Sequence, residues 1–256
     1  MTDPRKLADA LIEAERTRTP IPPFTRTHLF LQPATGYQAQ TLFVDHRLRN
    51  GERVIGAKLG LTSRVKRVAL GIDEPVFGRL TDGMLLPAGA PVPLDQLIRP
   101  RAEPEIAFLI GQRLDGPVTP AGVLAATDAV VAAIEIMDSR YADRFRLPDS
   151  VADNAGAGRV VLGGWPRSPR ELGDLRLLGC VFRSAGEVVD TAAGGAVMGD
   201  PAAAVAWLVN TLAARGEHLP AGSVVLSGGL TASVVLRRGS DVVAEFDGLG
   251  SVEVHS

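Results

Sequence analysis

Arg101-Ala-Glu-Pro-Glu-Ile-Ala-Phe-Leu-Ile110 is the stretch on which the fold turns. In an extended strand, residues two apart share a face. Ile106, Phe108 and Ile110 therefore point one way, toward a core, while Glu103 and Glu105 project side by side on the other. A second apolar run, Ala132-Ala-Ile-Glu-Ile-Met137, places a third acid, Glu135, between Ile134 and Ile136. Adjacent carboxylates repel, and partial burial makes that costlier unless a cation compensates. Two readings stand at this point. The acids are solvated outer-face residues of half-exposed strands, or they are oxygen donors for a hard divalent ion, Mg²⁺ or Mn²⁺.

Outward from these runs, short β-branched segments separated by Gly and Pro predict further strands at 54–59, 159–162, 178–183, 223–227 and 241–246, with 105–110 and 132–137 already noted. Thr119-Pro120 and Asp200-Pro201 open two helices among them. Upstream the texture is helical. Asp3-Pro4 starts a helix with Leu7, Ala8, Leu11 and Ile12 on one face, and Tyr37, Thr41, Val44 and Leu48 mark another that Asn50-Gly51 ends. Many strands and few helices, without regular βαβ alternation, predict a β-rich α+β fold. A helical N-terminal cap region, 1–52, precedes the main domain, 53–256.

Composition narrows the function classes. The 256 residues carry 27 Lys+Arg and 29 Asp+Glu, a net charge of −2 with no long basic run, which argues against nucleic-acid binding. The only cysteine, Cys180, cannot form an internal disulfide, and the N-terminus leads into a charged helical pattern. No apolar run approaches the roughly 20 residues that span a bilayer. A soluble, cytoplasmic globular protein with no membrane partner is expected.

Lys58 lies inside the apolar, glycine-rich run Gly56-Ala-Lys-Leu-Gly-Leu-Thr-Ser63, where a charge needs a reason. It is either a snorkelling edge lysine or, near a metal, an acid/base whose proton affinity desolvation lowers. Phe77-Gly-Arg-Leu-Thr-Asp-Gly-Met84 reads as a turn carrying Asp82, and Met137-Asp-Ser-Arg-Tyr141 follows the Glu135 strand directly. The segments 151–159 and 226–231 read as glycine-rich loops. Gly156-Ala-Gly158 fails as a dinucleotide fingerprint, the four histidines lack metal-ligand spacing, and no serine stands in a nucleophile elbow.

Taken in order, Gly-Ala-Lys-Leu-Gly-Leu-Thr-Ser, Asp-Glu-Pro-Val-Phe-Gly (73–78), Pro-Arg-Ala-Glu-Pro-Glu-Ile-Ala-Phe, Glu-Ile-Met-Asp-Ser-Arg, Val-Ala-Asp-Asn and Leu-Gly-Ser-Val (249–252) span nearly the whole chain. This set resembles the 2-keto-4-pentenoate hydratase / 4-oxalocrotonate decarboxylase family of aromatic meta-cleavage catabolism, within the fumarylacetoacetate hydrolase superfamily. The resemblance implies a fumarylacetoacetate-hydrolase-like mixed β fold with a helical N-terminal region, and a homo-oligomer. It implies Mg²⁺ or Mn²⁺ on Glu103, Glu105 and Glu135, with Lys58 and Asp82 catalytic. Arg140, Asp153, Asn154, Ser227 and Thr231 fall on segments that line the family's substrate pocket.

Many family members carry two serines where this chain has Gly156 and Ala157. Both family reactions act on a small 2-oxo acid held by a Lewis-acid metal. Asp-Ser-Arg-Tyr, Gly158-Arg159 and Ser-Gly-Gly-Leu-Thr favour decarboxylation of 2-oxohex-3-enedioate (4-oxalocrotonate), with Arg159 near the second carboxylate. Leu-Thr-Asp-Gly-Met and Ala-Val-Ala-Trp-Leu favour hydration of 2-hydroxypenta-2,4-dienoate (2-oxopent-4-enoate). A non-catalytic binder of metal and keto acid is the third reading, which retention of Lys58 opposes. Decarboxylases and hydratases of the family also work as complexes, so the resemblance extends to a partner hydratase.

Overall fold

Asp-Pro and Thr-Pro pairs start helices where expected. The computed structural model describes residues 2–256, apart from the side chains of residues 66, 69 and 70. Its helices are α1 (Pro4–Thr17), α2 (Pro33–Arg49), α3 (Arg64–Leu70), α4 (Pro120–Ala126), α5 (Leu147–Ala152), α6 (Pro169–Leu172) and α7 (Pro201–Ala213). Asp3, Thr119 and Asp200 each accept a backbone N–H of the first turn, with proline in that turn.

The strands are β1 (Val54–Gly60), β2 (Val76–Thr81), β3 (Leu85–Leu86), β4 (Arg101–Ile110), β5 (Thr127–Met137), β6 (Ala157–Arg167), β7 (Gly179–Ser184), β8 (Glu187–Ala193), β9 (Val224–Leu226), β10 (Val234–Val235), β11 (Asp241–Phe246) and β12 (Gly250–His255). The larger sheet runs β2-β1-β9-β4-β5-β6-β3, with β10 paired to β4, and the smaller runs β12-β11-β7-β8. At its centre β4 and β5 form a long antiparallel pair.

Both faces of that pair are covered. Ile106, Phe108, Ile134 and Ile136 pack in one cluster with Val205, Leu208 and Leu212 of α7. Ala107, Val131, Ala133, Val160 and Leu226 form a second cluster, and strand alternation puts it on the opposite face. A strand buried on both sides reads as a continuous apolar run. This excludes the reading of Glu103, Glu105 and Glu135 as solvated outer-face residues, since all three are buried.

The N-terminal helices contribute Leu7, Leu11 and Phe43 to a separate cluster closed by Tyr141 and Ala152. Gln40 of α2 reaches into the body, donating to the carbonyls of Phe77 and Val151 at 2.9 Å each.

The structure corrects two expected loops. Residues 76–81 form β2, and only 82–84 turn, because Phe77 and Leu80 are buried core residues. The segment expected as a loop at 151–159 is instead the end of α5, a tight turn at Asn154–Gly156 and the start of β6. Strands β8 and β12 were absent from the expected set.

Candidate active site

Strand register assembles the acids. Glu103 and Glu135 are direct cross-strand partners, and Glu105 follows two residues along the same face. Lys58 opposes Leu226, and Leu226 opposes Ala107, so the lysine enters that face from β1. Glu105 is 0% exposed, and Lys58 and Glu135 are each 1%.

Oxygens of Glu103, Glu105 and Glu135 lie within 4.8 Å of one another. Gly228 N–H donates to Glu105 Oε2 at 2.6 Å. Glu105 Oε1 and Glu135 Oε1 are buried with no hydrogen-bond partner among the described residues. Burial, and then the charge of Glu135, pushes the Glu105 carboxyl well above the ordinary carboxylate range. Burial raises Glu135 too, against the pull of Lys58. Converging orphaned oxygens on reluctantly ionised carboxyls form an all-oxygen donor set, and it fits a hard divalent cation, Mg²⁺ or Mn²⁺.

Lys58 Nζ stands 3.0 Å from Glu135 Oε2 and donates to the Ala155 carbonyl at 2.9 Å. Desolvation lowers its proton affinity, as the sequence led one to expect. The charges of Glu135, Glu105 and Glu103 outweigh that effect and hold Lys58 above its ordinary value. Its ammonium is thereby placed as a hydrogen-bond donor between Glu135 and the Ala155 carbonyl. Ala155, which no sequence motif marked, reaches the lysine through an unusual backbone path. Asn154, Ala155 and Gly156 are all left-handed, at φ of 52°, 53° and 71°. For the two non-glycine residues this costs on the order of 1 kcal/mol each.

The Ser227–Thr231 loop closes the other side. A Cβ at Gly229 would lie 2.0 Å from Glu103 Oε2, and one at Gly228 would lie 2.2 Å from Thr62 Oγ1. Glycine lets the main chain pass this close to the Glu103 carboxylate, which a side chain at 229 would displace. Ser227 is buried, its Oγ without a hydrogen-bond partner among the described residues. Thr231 is buried and donates to the Ala232 carbonyl at 3.0 Å.

Two chambers lead outward. The inner one, about 110 Å³, is bounded by Lys58, Glu103, Leu61, Val76 and Gly229. Met137, Phe145, Ser150 and Ala155 line both it and an outer chamber of about 700 Å³. Asp153 lines the outer chamber, where it pairs with Arg140 at 3.3 Å. Burial raises the Asp153 carboxyl to about 7 despite that arginine. One guanidinium serves Glu15, Asp138 and Asp153 together.

Four expected site residues lie elsewhere. Arg140 is buried and committed to Glu15 and to the carbonyls of Asp138 and Ala157, tying α1 to the sheet. Asn154 clamps β2: its side chain accepts from Arg79 N–H at 2.7 Å and donates to Arg79 C=O at 2.9 Å. Arg159 neighbours Val160, the partner of Glu135, so alternation sends it to the other face, where it donates to Gln96. Asp82 is exposed and accepts from Arg53 N–H, at the far end of the β1–β2 pair from Lys58.

Three buried carboxylates that could hold a divalent cation, with a buried lysine beside them on one sheet face, mark a candidate active site. The fumarylacetoacetate hydrolase C-terminal family profile matches residues 54–255. The chain is 41% identical to the 4-oxalocrotonate decarboxylase of Pseudomonas sp. (strain CF600), covering 96% of this chain and 94% of that protein. It is also 41% identical to the 2-keto-4-pentenoate hydratase of Paraburkholderia xenovorans (strain LB400), covering 96% and 91%. Among solved structures, the 4-oxalocrotonate decarboxylase of Pseudomonas putida G7, complexed with magnesium and adipate, superposes with a TM-score of 0.94 at 37% identity, covering 98% and 96%. This chain belongs to the fumarylacetoacetate hydrolase family, on its hydratase/decarboxylase branch.

Proposed function

We propose that this chain is a Mg²⁺- or Mn²⁺-dependent decarboxylase that converts 2-oxohex-3-enedioate (4-oxalocrotonate) to 2-hydroxypenta-2,4-dienoate and CO₂. The observation that carries the reading is the buried Lys58, 3.0 Å from Glu135 and hydrogen-bonded to the Ala155 carbonyl, at the edge of a chamber lined by Leu61, Val76, Met137 and Phe145 as well as by Thr62, Ser63 and Ser150. When bound, the metal supplies Lewis-acid stabilisation of negative charge growing on the 2-oxo acid. The bond between the distal carboxyl and its carbon breaks, and the electron pair moves through the alkene to the 2-oxo oxygen. Lys58 delivers its proton to that oxygen, giving the enol product. Ala155 and Glu135 orient Lys58 for this transfer.

Hydration makes a further demand, a base that directs water. The inner chamber offers the hydroxyls of Thr62, Ser63 and Ser150 and the Glu103 carboxylate, and no histidine lines it among the described residues. The hydratase reading keeps its support from the relatives, one hydratase being 41% identical to this chain, as one decarboxylase is. Purified protein, Mg²⁺ and 2-oxohex-3-enedioate separate the readings. CO₂ release with a five-carbon dienol by mass establishes the decarboxylase. Water addition to the five-carbon dienol instead establishes the hydratase, and neither reaction leaves a silent binder.

The reading extends to a cytoplasmic homo-oligomer whose product passes to a partner hydratase. Exposed Leu29, Phe30, Trp165 and Leu177 support self-association. No helix among the described residues is long and apolar enough to cross a membrane.

A further inference from the structure

We propose that Arg101 binds the far carboxylate of a linear diacid whose 2-oxo end lies at Glu103, Glu105 and Glu135, and so selects diacids over monoacids. This rests on the decarboxylase reading for the identity of the substrate. The first observation is strand geometry. Arg101, Glu103 and Glu105 alternate onto one face of β4, and Arg101 stands about 7 Å along the strand from Glu103. Arg101 lines the outer chamber, and its cross-strand partner Met137 lines both.

The second observation is charge balance. Arg99, Arg101 and Arg144 all line the outer chamber. Its acids are already answered by other cations, Asp143 by Arg26 at 3.1 Å and Asp153 by Arg140 at 3.3 Å. Among the described residues no carboxylate pairs with the three lining arginines. Arg99 is spent on the carbonyls of Tyr141 and Ala142.

The third is orientation. Arg101 Nε donates to Ser233 Oγ at 2.7 Å and Nη2 to the Ser233 carbonyl at 2.9 Å. One edge of the guanidinium is thereby fixed. The Nη1–Nη2 edge remains for a bidentate pair with a carboxylate, the geometry in which arginine excels. Arg159, expected from the sequence in this role, faces the other side of the sheet.

The test is calorimetric titration of the Mg²⁺-loaded full chain with adipate and with hexanoate. The wild type is expected to bind adipate at least about tenfold tighter, as a charge-assisted bidentate pair provides. Arg101→Met should erase that preference while hexanoate binding holds, and Arg101→Lys should restore part of it. Arg144→Met should keep it. An unchanged adipate-to-hexanoate ratio in Arg101→Met overturns the proposal, as does a collapse confined to Arg144→Met, or a wild type without the preference. CO₂ release from 2-oxohex-3-enedioate is scored separately. Its absence in a wild type that still prefers adipate through Arg101 sinks the decarboxylase reading and leaves the diacid subsite standing.

Discussion

Lys58 sits between two acceptors of different kinds, a carboxylate and a main-chain carbonyl. Lys58→Ala is expected to lower kcat by about a hundredfold or more, the usual worth of a placed proton donor. Mg²⁺ titration should be preserved or tighten, because a positive charge leaves the ligand cluster; surviving turnover would refute the proton role. Asp153 offers a different readout. Its carboxyl titrates near 3.8 when unfolded and at about 7 when folded. Between those values the native state holds a proton that the unfolded state has lost, so rising pH works against folding. Urea denaturation should show wild-type stability falling relative to Asp153→Asn from about pH 4 to about pH 7, by on the order of 4 kcal/mol, then levelling. The residues that alternation isolated, Lys58 and the three glutamates, were legible because a charge in an apolar strand conflicts with its neighbours. Arg140, Asn154, Arg159 and Asp82, expected at the site, stand apart from the carboxylate cluster, and their sequence context carried no such conflict. A polar residue in a loop shows no conflict, and nothing in its type says whether a ligand or the scaffold satisfies it.

At the scale of elements, the β4–β5 register and the Ser227–Thr231 loop meet at Glu103. Gly229→Ala should leave the protein folded, since the atoms nearest its new Cβ belong to the end of a flexible side chain. That side chain is a proposed ligand, so Mg²⁺ affinity should fall by about tenfold or more in calorimetry while the melting temperature of the metal-free protein barely moves. Helix starts were readable because proline and a capping oxygen act locally. Strand β2 was not. Gly78 and Arg79 mimic a turn, and the glycine is there because a Cβ would strike the Asn154 carbonyl at 2.2 Å, a contact between segments far apart in sequence. The backbone contacts at Ala155 and Gly228 were invisible for the same reason.

Across the whole molecule, the N-terminal helices are joined to the sheet by charge as well as by apolar packing. Glu15 bridges Arg140 and Arg47, which are 1% and 11% exposed at their side chains. Glu15→Ala removes one acceptor from the buried Arg140, which keeps Asp153 and the Asp138 and Ala157 carbonyls. With Glu15 itself 30% exposed, a loss of about 2 kcal/mol is expected in denaturant unfolding, and an unchanged midpoint would show the tie to be idle. The change of texture near residue 53 predicts a helical cap region, whereas this tie, which spans 125 positions, leaves no local signal in the sequence. The Ala155 carbonyl that holds Lys58 has a consequence of another kind. Lys58 is steadied by a main-chain oxygen and Glu105 by a main-chain N–H, so neither anchor depends on which side chain its residue carries, provided the backbone path is kept. The outer chamber is walled largely by exchangeable side chains. Side-chain changes at the rim can therefore alter which acid fits, while the backbone anchors of Lys58 and Glu105 stay in place.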